Sequence, residues 1–354
     1  MDRFSPAPDA TPSLLCYGGE KPLDFRGNPV PTILDSAGRA GMGCYQFFHF
    51  CQLCPPDDAL PDDRLEVFPG ATILYNDFHM AYCDSSFETR QDLLCIDYCR
   101  EGRMEYAVGN DAFSYVEAGD LKVDRRLKHK GYFSLPLSHY HGISMCFDLS
   151  MIPMELARLA GDYPLDLAAI QQKFCPDARP RVIHGAPSVD HIFQELCTVP
   201  ERIKMPYFRV KILELLLYLD ALELGSGTEK PYFYRSQVET VKAIRSYLVE
   251  HLDQHITLEA LSRQYQIPLT TMKACFKSVY GSPVNTYMRA LRMDRAALLL
   301  RKEPEASVTE IAGAVGYDSS SKFAAAFRAV KGQTPLEYRR GGGNPVLSFP
   351  DETE

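Results

Sequence analysis

The sequence predicts an α+β protein with a strand-rich first part, a helical middle and an all-helical C-terminal part. Short apolar runs separated by turn residues extend from about Gly43 to Leu149, helical spacing of apolar residues takes over from Ser150 to Leu224, and capped helical segments follow from residue 236. A length of 354 residues favours about two domains. With 45% hydrophobic and 24% charged residues, the composition is that of a globular protein.

In the first part, residues 1–149, the runs Leu93–Cys99 and Met104–Val108 flank residues 100–103, which predicts a β-hairpin. A turn is expected at residues 117–120. Further strands are expected over Phe113–Val116, Tyr132–Leu137 and Gly142–Leu149. Several short antiparallel strands of this kind predict a barrel or a sandwich.

The middle part, residues 150–224, has the apolar spacing of helices. Ser188 is placed to cap a helix that runs to Cys197, and another helix is expected from Met205 to Leu224. A helix covered on more than one side is either buried against its own domain or forms the seam of a dimer, and the sequence leaves both open. The apolar residues concerned are Ile212, Leu215, Leu216, Leu219 and Leu222 on the main stripe, with Leu213, Leu217, Tyr218 and Leu224 on other faces.

Residues 225–235 are expected to form a linker, because Gly225, Ser226 and Gly227 are flexible and Pro231 breaks helices. The stretch Ile212–Leu224 contains three carboxylates and is too short to span a membrane. The N-terminus lacks a basic region followed by an apolar run, so no secretory signal is predicted and the cytoplasm is the expected location. The 11 cysteines, an odd number, are expected to be free thiols.

Charge is divided unevenly along the chain. Residues 236–340 carry 15 Lys and Arg against 10 Asp and Glu, a balance of +5, whereas all other residues carry 23 against 36, a balance of −13. A basic part in an otherwise acidic protein suits contact with a phosphate backbone.

Two segments of this basic part resemble each other at an offset of 51 residues. Phe276–Gly281 matches Phe327–Gly332. Each segment is followed by a proline and a tyrosine, Pro283 with Tyr287 and Pro335 with Tyr338.

Start and stop signals divide the basic part into helices. Thr257 caps a helix to Tyr265, a turn at residues 266–268 follows, and the next helix runs from about Thr270 to Tyr280 and stops at Gly281. Ser282 as cap and Pro283 as first helical residue open a long helix to about Glu303. In the second repeat, Ser307 and Glu310 form a capping box, a helix ends near Gly316, the next runs from Ser319 to Gly332, and Thr334 with Glu337 caps a last helix that has Pro335 at its first position.

A short helix, a turn of three or four residues and a second helix make the helix-turn-helix, whose second helix enters the major groove of DNA. This arrangement occurs twice here. The expected cores consist of Leu258, Leu261, Met272 and Phe276 in the first unit and of Ile311, Val315, Phe323 and Phe327 in the second.

Residues 237–340 resemble the DNA-binding domain of the AraC/XylS family of transcription regulators. The resemblance implies a DNA-binding domain over residues 236–340, a tail at 341–354, promoter DNA and RNA polymerase as partners, a homodimer, and neither enzymatic activity nor a cofactor. The residues that carry it in the second unit are Ile311-Ala312, Val315-Gly316-Tyr317, Ser321-x-Phe323-x-x-x-Phe327-Arg328 and Gly332-x-Thr334-Pro335-x-x-Tyr338-Arg339. The first unit shows the looser set Leu261, Met272, Phe276-Lys277, Gly281-x-Pro283, Tyr287 and Arg292.

By this resemblance, the DNA-binding residues are Thr270, Thr271, Lys273, Ala274 and Lys277 in the first unit and Ser319, Ser320, Ser321, Lys322, Ala324, Ala325 and Arg328 in the second. Lys273 and Lys322 can donate hydrogen bonds to guanine edges, whereas the three alanines offer only apolar contact, for example to a thymine methyl group. Lys277, Arg328, Lys331 and Thr334 are expected in phosphate-binding or structural roles.

Many members of that family join this module to a small β-barrel of the cupin type that binds an effector, and the turn Ala118-Gly119-Asp120 is similar to a turn of such barrels. The resemblance implies a cupin-like effector domain whose interior takes a small molecule that the sequence does not identify. His139 and His141 project to one face of a strand but lack a third ligand at the expected spacing, so no metal is predicted. Cys51 with Cys54, and Cys95 with Cys99, lack the second pair that a zinc site needs.

Other functions stay open at this point. The chain can be an effector-independent dimeric activator, a metal- or thiol-based sensor, or a DNA-repair alkyl transferase, although the clustered cysteine quartet that the last one needs is missing. A phosphorylated response regulator is disfavoured because strands and helices do not alternate in the first part. No glycine-rich nucleotide loop and no nucleophile constellation predicts an enzyme.

Overall fold

The computed structural model describes residues 32–34, 40–42, 44–45, 64–78, 81–88, 92–109, 111–126, 128–177, 179–185, 187–224 and 231–341. The chain divides between Phe233 and Tyr234 into two compact units, here called the sheet unit (Pro22–Phe233) and the helical unit (from Tyr234 onward). Cys51, Cys54, residues 225–230 of the expected linker and the tail beyond Gly341 lie outside the described residues. None of the described helices is long and apolar enough to cross a membrane.

The sheet unit is built from antiparallel strand pairs. Its strands are β1 (Thr32–Leu34), β2 (Ala40–Met42), β3 (Cys44–Tyr45), β4 (Arg64–Phe68), β5 (Ala71–Phe78), β6 (Tyr82–Glu88), β7 (Leu93–Ala107), β8 (Ala112–Glu117), β9 (Leu121–Asp124), β10 (Lys128–Ser134), β11 (Tyr140–Asp148) and β12 (Arg181–Ile183). The main sheet has the order β12-β9-β7-β11-β5-β3, with β4 also on β5 and β8 on β7, while β1 pairs with β2 and β6 with β10. Over the described residues this sheet is antiparallel and open, so it confirms the strand-rich first part but not a closed cupin-like barrel.

The predicted hairpin at residues 100–103 is wrong, because β7 runs through this segment without a turn. Its first part pairs with β9 and β11, and its second part, from Arg103, pairs with β8. Gly102 has a φ of +86° at the point where the strand changes partners, and the register with β11 shifts between His141 and Gly142. The polar residues that suggested a turn therefore mark a bend within one long strand.

The other strand predictions are closer. The turn at residues 117–120 is confirmed by the hydrogen bond from the Asp120 amide to the Glu117 carbonyl (2.9 Å), with Gly119 at a φ of +82°. β8 and β11 match the expected strands to within two residues, whereas β10 begins and ends earlier than expected.

Four helices pack against one face of the main sheet: α1 (Pro153–Ala160), α2 (Leu167–Phe174), α3 (Pro187–Leu196) and α4 (Lys204–Ala221). Ser188 lies inside α3 rather than at its cap, because Pro187 takes the first helical position, where its missing N–H costs no hydrogen bond. Along α4 the main apolar stripe enters the core of the sheet unit, as expected for a helix buried against its own domain. The fully buried residues of this stripe are Ile212, Leu215, Leu216 and Leu219.

The two-residue strand β13 (Phe233–Tyr234) precedes the helical unit, whose helices are α5 (Arg235–Glu250), α6 (Leu258–Gln264), α7 (Leu269–Tyr280), α8 (Val284–Lys302), α9 (Val308–Ala314), α10 (Ser320–Lys331) and α11 (Pro335–Arg340). Thr257, Ser307 and Thr334 cap α6, α9 and α11 as predicted, the last two with complete capping boxes. The expected Ser282 cap of α8 is wrong by one residue, since the carbonyl of Pro283 accepts the first helical bond from the Tyr287 amide (2.9 Å).

Candidate nucleic-acid interface

The first helix-turn-helix consists of α6, a turn at residues 265–268 and α7. The turn is held from both sides, because the Ile267 amide donates to the Ser262 carbonyl (3.1 Å) and the Ser262 hydroxyl donates to the Ile267 carbonyl (2.7 Å). One side of α7 is buried through Met272, Cys275, Phe276 and Val279. The opposite side exposes Thr270, Lys273, Ala274 and Lys277, with Thr271 half-buried.

The second helix-turn-helix consists of α9, a turn at residues 315–319 and α10. Phe323 and Phe327 bury one side of α10, and the hydroxyl of Ser319 caps the helix by accepting from the Lys322 amide (3.4 Å). The opposite side of α10 carries Ser320, Ser321, Lys322, Ala325 and Arg328, all exposed, with Ala324 half-buried beside them. Both units therefore turn the predicted contact residues away from their cores.

The sequence repeat corresponds to a repeated aromatic contact. Phe276 meets Tyr287 edge to face with 5.5 Å between ring centroids and an angle of 77°, and Phe327 meets Tyr338 at 5.4 Å and 78°. All four residues occupy matching positions at the offset of 51. Edge-to-face pairs add to the energy of simple burial, so these contacts fix α7 on α8 and α10 on α11.

Two groups of cations in the helical unit differ in their surroundings. One group is tied down within the unit: Arg245 donates to the Tyr287 hydroxyl (3.0 Å), Arg339 donates to the Ala306 carbonyl (2.7 Å), and Lys331 pairs with Asp294. Burial would lower the pKa of Arg245, but the interactions with Tyr287 outweigh it and raise that pKa. Lys331 is 7% exposed, and Thr334 caps a helix. Of the two roles expected for them, phosphate binding or structure, both residues therefore fit the structural one.

The other group is exposed on the outward faces of α7 and α10: Lys273, Lys277, Lys322 and Arg328. Each of these side chains extends from a helix whose opposite side is buried, so each can approach a phosphate or a base edge without disturbing the core. Sequence spacing predicted these outward positions. It did not separate Lys331 from them, because the partner of Lys331 lies 37 residues away.

The sheet unit contains a buried ionic cluster that sequence analysis missed. Asp97 on β7 lies between Ser144 on β11 and Lys122 on β9, and its carboxylate pairs with Lys122 Nζ (2.8 Å) and Arg126 Nη2 (2.7 Å). Burial raises the pKa of Asp97, but the charges of Arg126 and Lys122 outweigh it and hold that pKa well below its ordinary value. On β9 the charged residues Lys122 and Asp124 alternate with the apolar Leu121 and Val123, and all four are buried. This alternation of charged and apolar residues in a strand that is buried on both sides is the sequence feature that could have predicted the buried ionic cluster.

A buried tyrosine stands beside this cluster. Tyr140 is 1% exposed, and its hydroxyl has no hydrogen-bond partner among the described residues. Burial, followed by the charges of Cys99 and Asp97, raises the pKa of Tyr140 well above its ordinary value. A side chain at Gly142 would lie 3.0 Å from this hydroxyl, so the hydroxyl occupies the space above a glycine on the same strand.

Among the described residues, the histidines and cysteines considered in the sequence lie on strands of the sheet unit or beside them. His141 Nδ1 lies 3.2 Å and His139 Nε2 3.7 Å from the carboxylate of Glu101, yet the described residues contain no group of three or more side chains suited to a metal ion. Cys95 and Cys99 are both buried, and the residue of β11 that pairs with Cys95 is Cys146. Burial and the hydrogen bond with Cys95 raise the pKa of the Cys146 thiol well above its ordinary value.

Comparison with known proteins shows that part of the helical unit is similar to parts of known transcription regulators. Residues 261–341 match a family model described as a helix-turn-helix domain. The HTH-type transcriptional activator RhaR of Mannheimia succiniciproducens is 33% identical over 104 residues, which are 29% of this chain and 37% of that protein. The F1 operon positive regulatory protein of Yersinia pestis is 34% identical over 101 residues, or 28% of this chain and 33% of that protein. The HTH-type transcriptional activator RhaS of Escherichia coli is 27% identical over 132 residues, or 37% of this chain and 45% of that protein.

These matches cover less than half of each relative, and all three relatives are regulators by name rather than enzymes. Among solved structures, the C-terminal domain of AraT, a response regulator from Geobacillus stearothermophilus, is 29% identical and covers 32% of this chain and 93% of that one, with a TM-score of 0.28. A score this low adds nothing to what the sequence matches establish.

Proposed function

We propose, from the premise that the C-terminal unit carries a helix-turn-helix domain of the AraC type, that this chain is a DNA-binding transcription activator controlled by a small molecule bound in its sheet unit. The observation that carries the proposal is the pair of outward faces on α7 and α10, each polar, each backed by a buried aromatic core. Two such helices joined through one long helix suit two successive contacts along a DNA duplex.

The residues divide by the chemistry they offer to DNA. Lys273 and Lys322 are exposed near the starts of α7 and α10, the part of a recognition helix that contacts base edges, and each can donate to guanine. Thr270, Ser320 and Ser321 add hydroxyl groups, and Ala274, Ala324 and Ala325 offer apolar contact to thymine. Lys277 and Arg328, one turn further on, are assigned to phosphates, which position a protein on DNA without reading its sequence.

The buried ionic cluster supports the second half of the proposal. Two carboxylates and two cations are taken out of water at a considerable cost in free energy, and beside them lies a tyrosine hydroxyl without a partner. A small polar molecule that hydrogen-bonds Tyr140 and the cluster would remove part of that cost. In this proposal the sheet closes as a cupin-like barrel around the ligand, residues 150–224 connect it to the DNA-binding domain, and RNA polymerase and a second copy of the chain are the protein partners.

DNA binding is tested with the purified full-length protein and sheared genomic DNA at physiological salt, by sequencing the fragments that it retains. We expect a few sites to be enriched, and we expect the variant Lys273→Ala, Lys322→Ala to lose them. A matched variant, Arg289→Ala with Lys302→Ala, removes the same charge from α8 and is expected to keep them. No enrichment by the unaltered protein, even at low salt, contradicts the proposal.

Effector control is tested separately by thermal unfolding of the full-length protein with a panel of small polar metabolites. A ligand of the folded state raises the midpoint according to its concentration and affinity. We expect a stabilising compound whose effect is lost in Tyr140→Phe, which retains the ring but not the hydroxyl. A panel without any stabilising compound supports the alternative of an effector-independent activator. An effector must in addition bind the DNA-competent and incompetent states with different affinities to act as a switch.

A further inference from the structure

We infer that a loop of residues 251–254, here called the spacer loop, fixes the separation of the two recognition helices, and that Arg292 is the positioning residue that holds it. This inference rests on the proposed function, since it concerns how the helical unit matches two contacts on DNA. It assigns a role to residues that lie outside the two recognition helices.

The two helix-turn-helix units have separate cores on one shared helix. The core of the second unit combines the C-terminal half of α8, through Met293, Ala296 and Leu300, with α9, α10 and α11. The N-terminal half of α8 buries Val284, Met288 and Leu291 and packs on α7. A single helix between two cores can still bend and twist, so further contacts between the two halves of the helical unit add to the hold on their separation.

Arg292 makes one of these contacts from the middle of α8. Its Nε donates to the carbonyl of Leu252 (2.9 Å), and its Nη2 donates to the carbonyl of Gln254 (2.8 Å). A planar guanidinium that holds two carbonyls at once fixes direction as well as distance, which a lysine ammonium cannot reproduce. The spacer loop precedes α6, so this side chain joins the start of the first unit to the shared helix.

Gly316 makes the other contact from the turn of the second unit. A Cβ at this position would lie 2.8 Å from the Leu252 carbonyl oxygen, closer than a side chain can pack, and 3.0 Å from the carbonyl carbon and oxygen of Asp253. Its φ is +77°. In the first unit the left-handed position of the turn is taken by Gln266 at a φ of +52°, where a side chain fits. The second unit therefore has glycine here because its backbone touches the spacer loop.

The spacer loop is also held by its own turn and by α5, which packs on α7 of the first unit. The amide of Gln254 donates to the carbonyl of His251 (3.1 Å), and the ring of His251 contacts the ring of Tyr247 on α5 with 4.2 Å between centroids. Leu252 is buried in the helical unit. The loop thus follows α5, which packs on the first unit. Arg292 of α8 donates hydrogen bonds to it, and the backbone of Gly316 in the second unit contacts it.

A fixed separation has a consequence on DNA. One turn of the duplex contains about 10 base pairs over about 34 Å, so each added base pair moves a second contact by about 3.4 Å and rotates it by about 35°. A protein whose two recognition helices are held rigidly discriminates strongly against such a change. If the contacts of the spacer loop are removed, the two units can adjust to a changed spacing of the half-motifs, and the discrimination between spacings falls. Binding to the optimal site then weakens only because the units are no longer preorganised.

The experiment uses the full-length protein. Selection from a random DNA pool gives the two half-motifs and their spacing, and Kd is then measured on the selected site and on sites with one or two base pairs inserted or removed between the halves. We expect the unaltered protein to lose on the order of tenfold in affinity per step, comparable to a mismatched base pair. For Arg292→Ala we expect this spacing penalty to fall to about threefold or less, while the preference within each half-motif stays the same.

Controls separate positioning from charge and from folding. Arg289→Ala removes an exposed cation from α8 one turn earlier and is expected to keep the full spacing penalty. Arg292→Lys keeps the charge and is expected to behave as Arg292→Ala. Should Arg292→Ala not fold, Arg292→Gln, with one amide donor, takes its place. A spacing penalty equal to that of the unaltered protein in these variants, or an unaltered protein indifferent to spacing, overturns the inference alone. An unaltered protein that selects no DNA overturns the proposed function as well.

Discussion

The two helix-turn-helix units share their internal contacts and differ on their outward faces. The pairs Phe276–Tyr287 and Phe327–Tyr338 have nearly the same separation and angle, and Gly281 and Gly332 end the two recognition helices with the same left-handed conformation. Outside, α7 presents threonine and lysine, whereas α10 presents serines and a run of alanines. Packing therefore preserves the repeat, while the surface that would read DNA has diverged.

The units also differ at one matched internal position. Tyr280 in the first unit packs on Phe276 and Tyr287 at 4.7 Å and 5.2 Å between centroids, whereas its counterpart Lys331 pairs with Asp294 of α8. An apolar contact and an ion pair thus serve the same end, the attachment of a recognition helix to α8. At these matched positions the first unit has three rings in mutual contact, and the second has two rings and an ion pair.

The largest expected effect concerns the shared aromatic contact. Phe276→Ala and Phe327→Ala each remove a fully buried ring, which typically costs about 3–5 kcal/mol in the free energy of unfolding. Because the two contacts have the same geometry, the two losses should agree to within about 1 kcal/mol. Urea denaturation of each variant measures them. A large loss at one position and a small one at the other would show that the repeat is not equivalent in energy.

The next effect concerns the position where the units differ. Lys331→Ala leaves the carboxylate of Asp294 without its cation in a mostly buried place and should cost about 2 kcal/mol, the usual worth of a hydrogen bond to a charged group. Arg328→Ala removes the same charge from the exposed side of α10 and should change the free energy of unfolding by less than about 0.5 kcal/mol. Equal losses in the two variants would contradict a structural role for Lys331.

The contrast between these two cations also shows what the sequence could predict. Caps and turns were predicted to within a residue at Thr257, Ser307 and Thr334, because neighbours in the chain make those hydrogen bonds. The outward faces of α7 and α10 followed from helical spacing alone. The sequence did not predict which cations have distant partners, because Asp294 contacts Lys331 only once α8 and α10 have packed together.

The same limit applies more strongly to the sheet unit. Residues 100–103 have turn character, yet β7 continues through them because β8 and β11 supply partners on both sides of the bend. Asp97 is buried because Lys122 and Arg126 come to it from another strand and the segment that follows it. Helices can be predicted from residues that are close in the sequence, whereas the order of strands in a sheet depends on contacts between distant parts of the chain.

A smaller effect is expected on DNA recognition. In the proposed function, Lys273→Ala should reduce discrimination at one base pair by about 1 kcal/mol, the lower end for a base contact, and Lys322→Ala should do so at a base pair in the other half-site. Selection of DNA by each variant, followed by affinity measurement on single-base changes, checks this. If either variant weakens binding uniformly across sequences, that lysine contacts phosphate rather than a base.

The smallest effect comes from the helix caps, where the units again differ. In the second unit the carboxylate of Glu310 accepts from the Ser307 amide (2.7 Å), and that of Glu337 accepts from the Thr334 amide (2.8 Å). These hydrogen bonds lower the pKa of Glu310 and of Glu337 below the ordinary glutamate value. The first unit has Ala260 where a capping-box glutamate would be, three residues after Thr257.

A carboxylate with a lowered pKa stabilises the fold fully above its ordinary pKa of about 4.3, and this contribution is lost as the pH falls through the lowered value. The caps of α9 and α11 should therefore loosen in acid, while the cap of α6 lacks this source of pH dependence. NMR titration of the amide protons of Ser307, Thr334 and Thr257 checks this, with Glu310→Gln as a control that keeps an acceptor but does not titrate. An acid shift at Ser307 that persists in Glu310→Gln would assign the effect to another group and contradict the prediction.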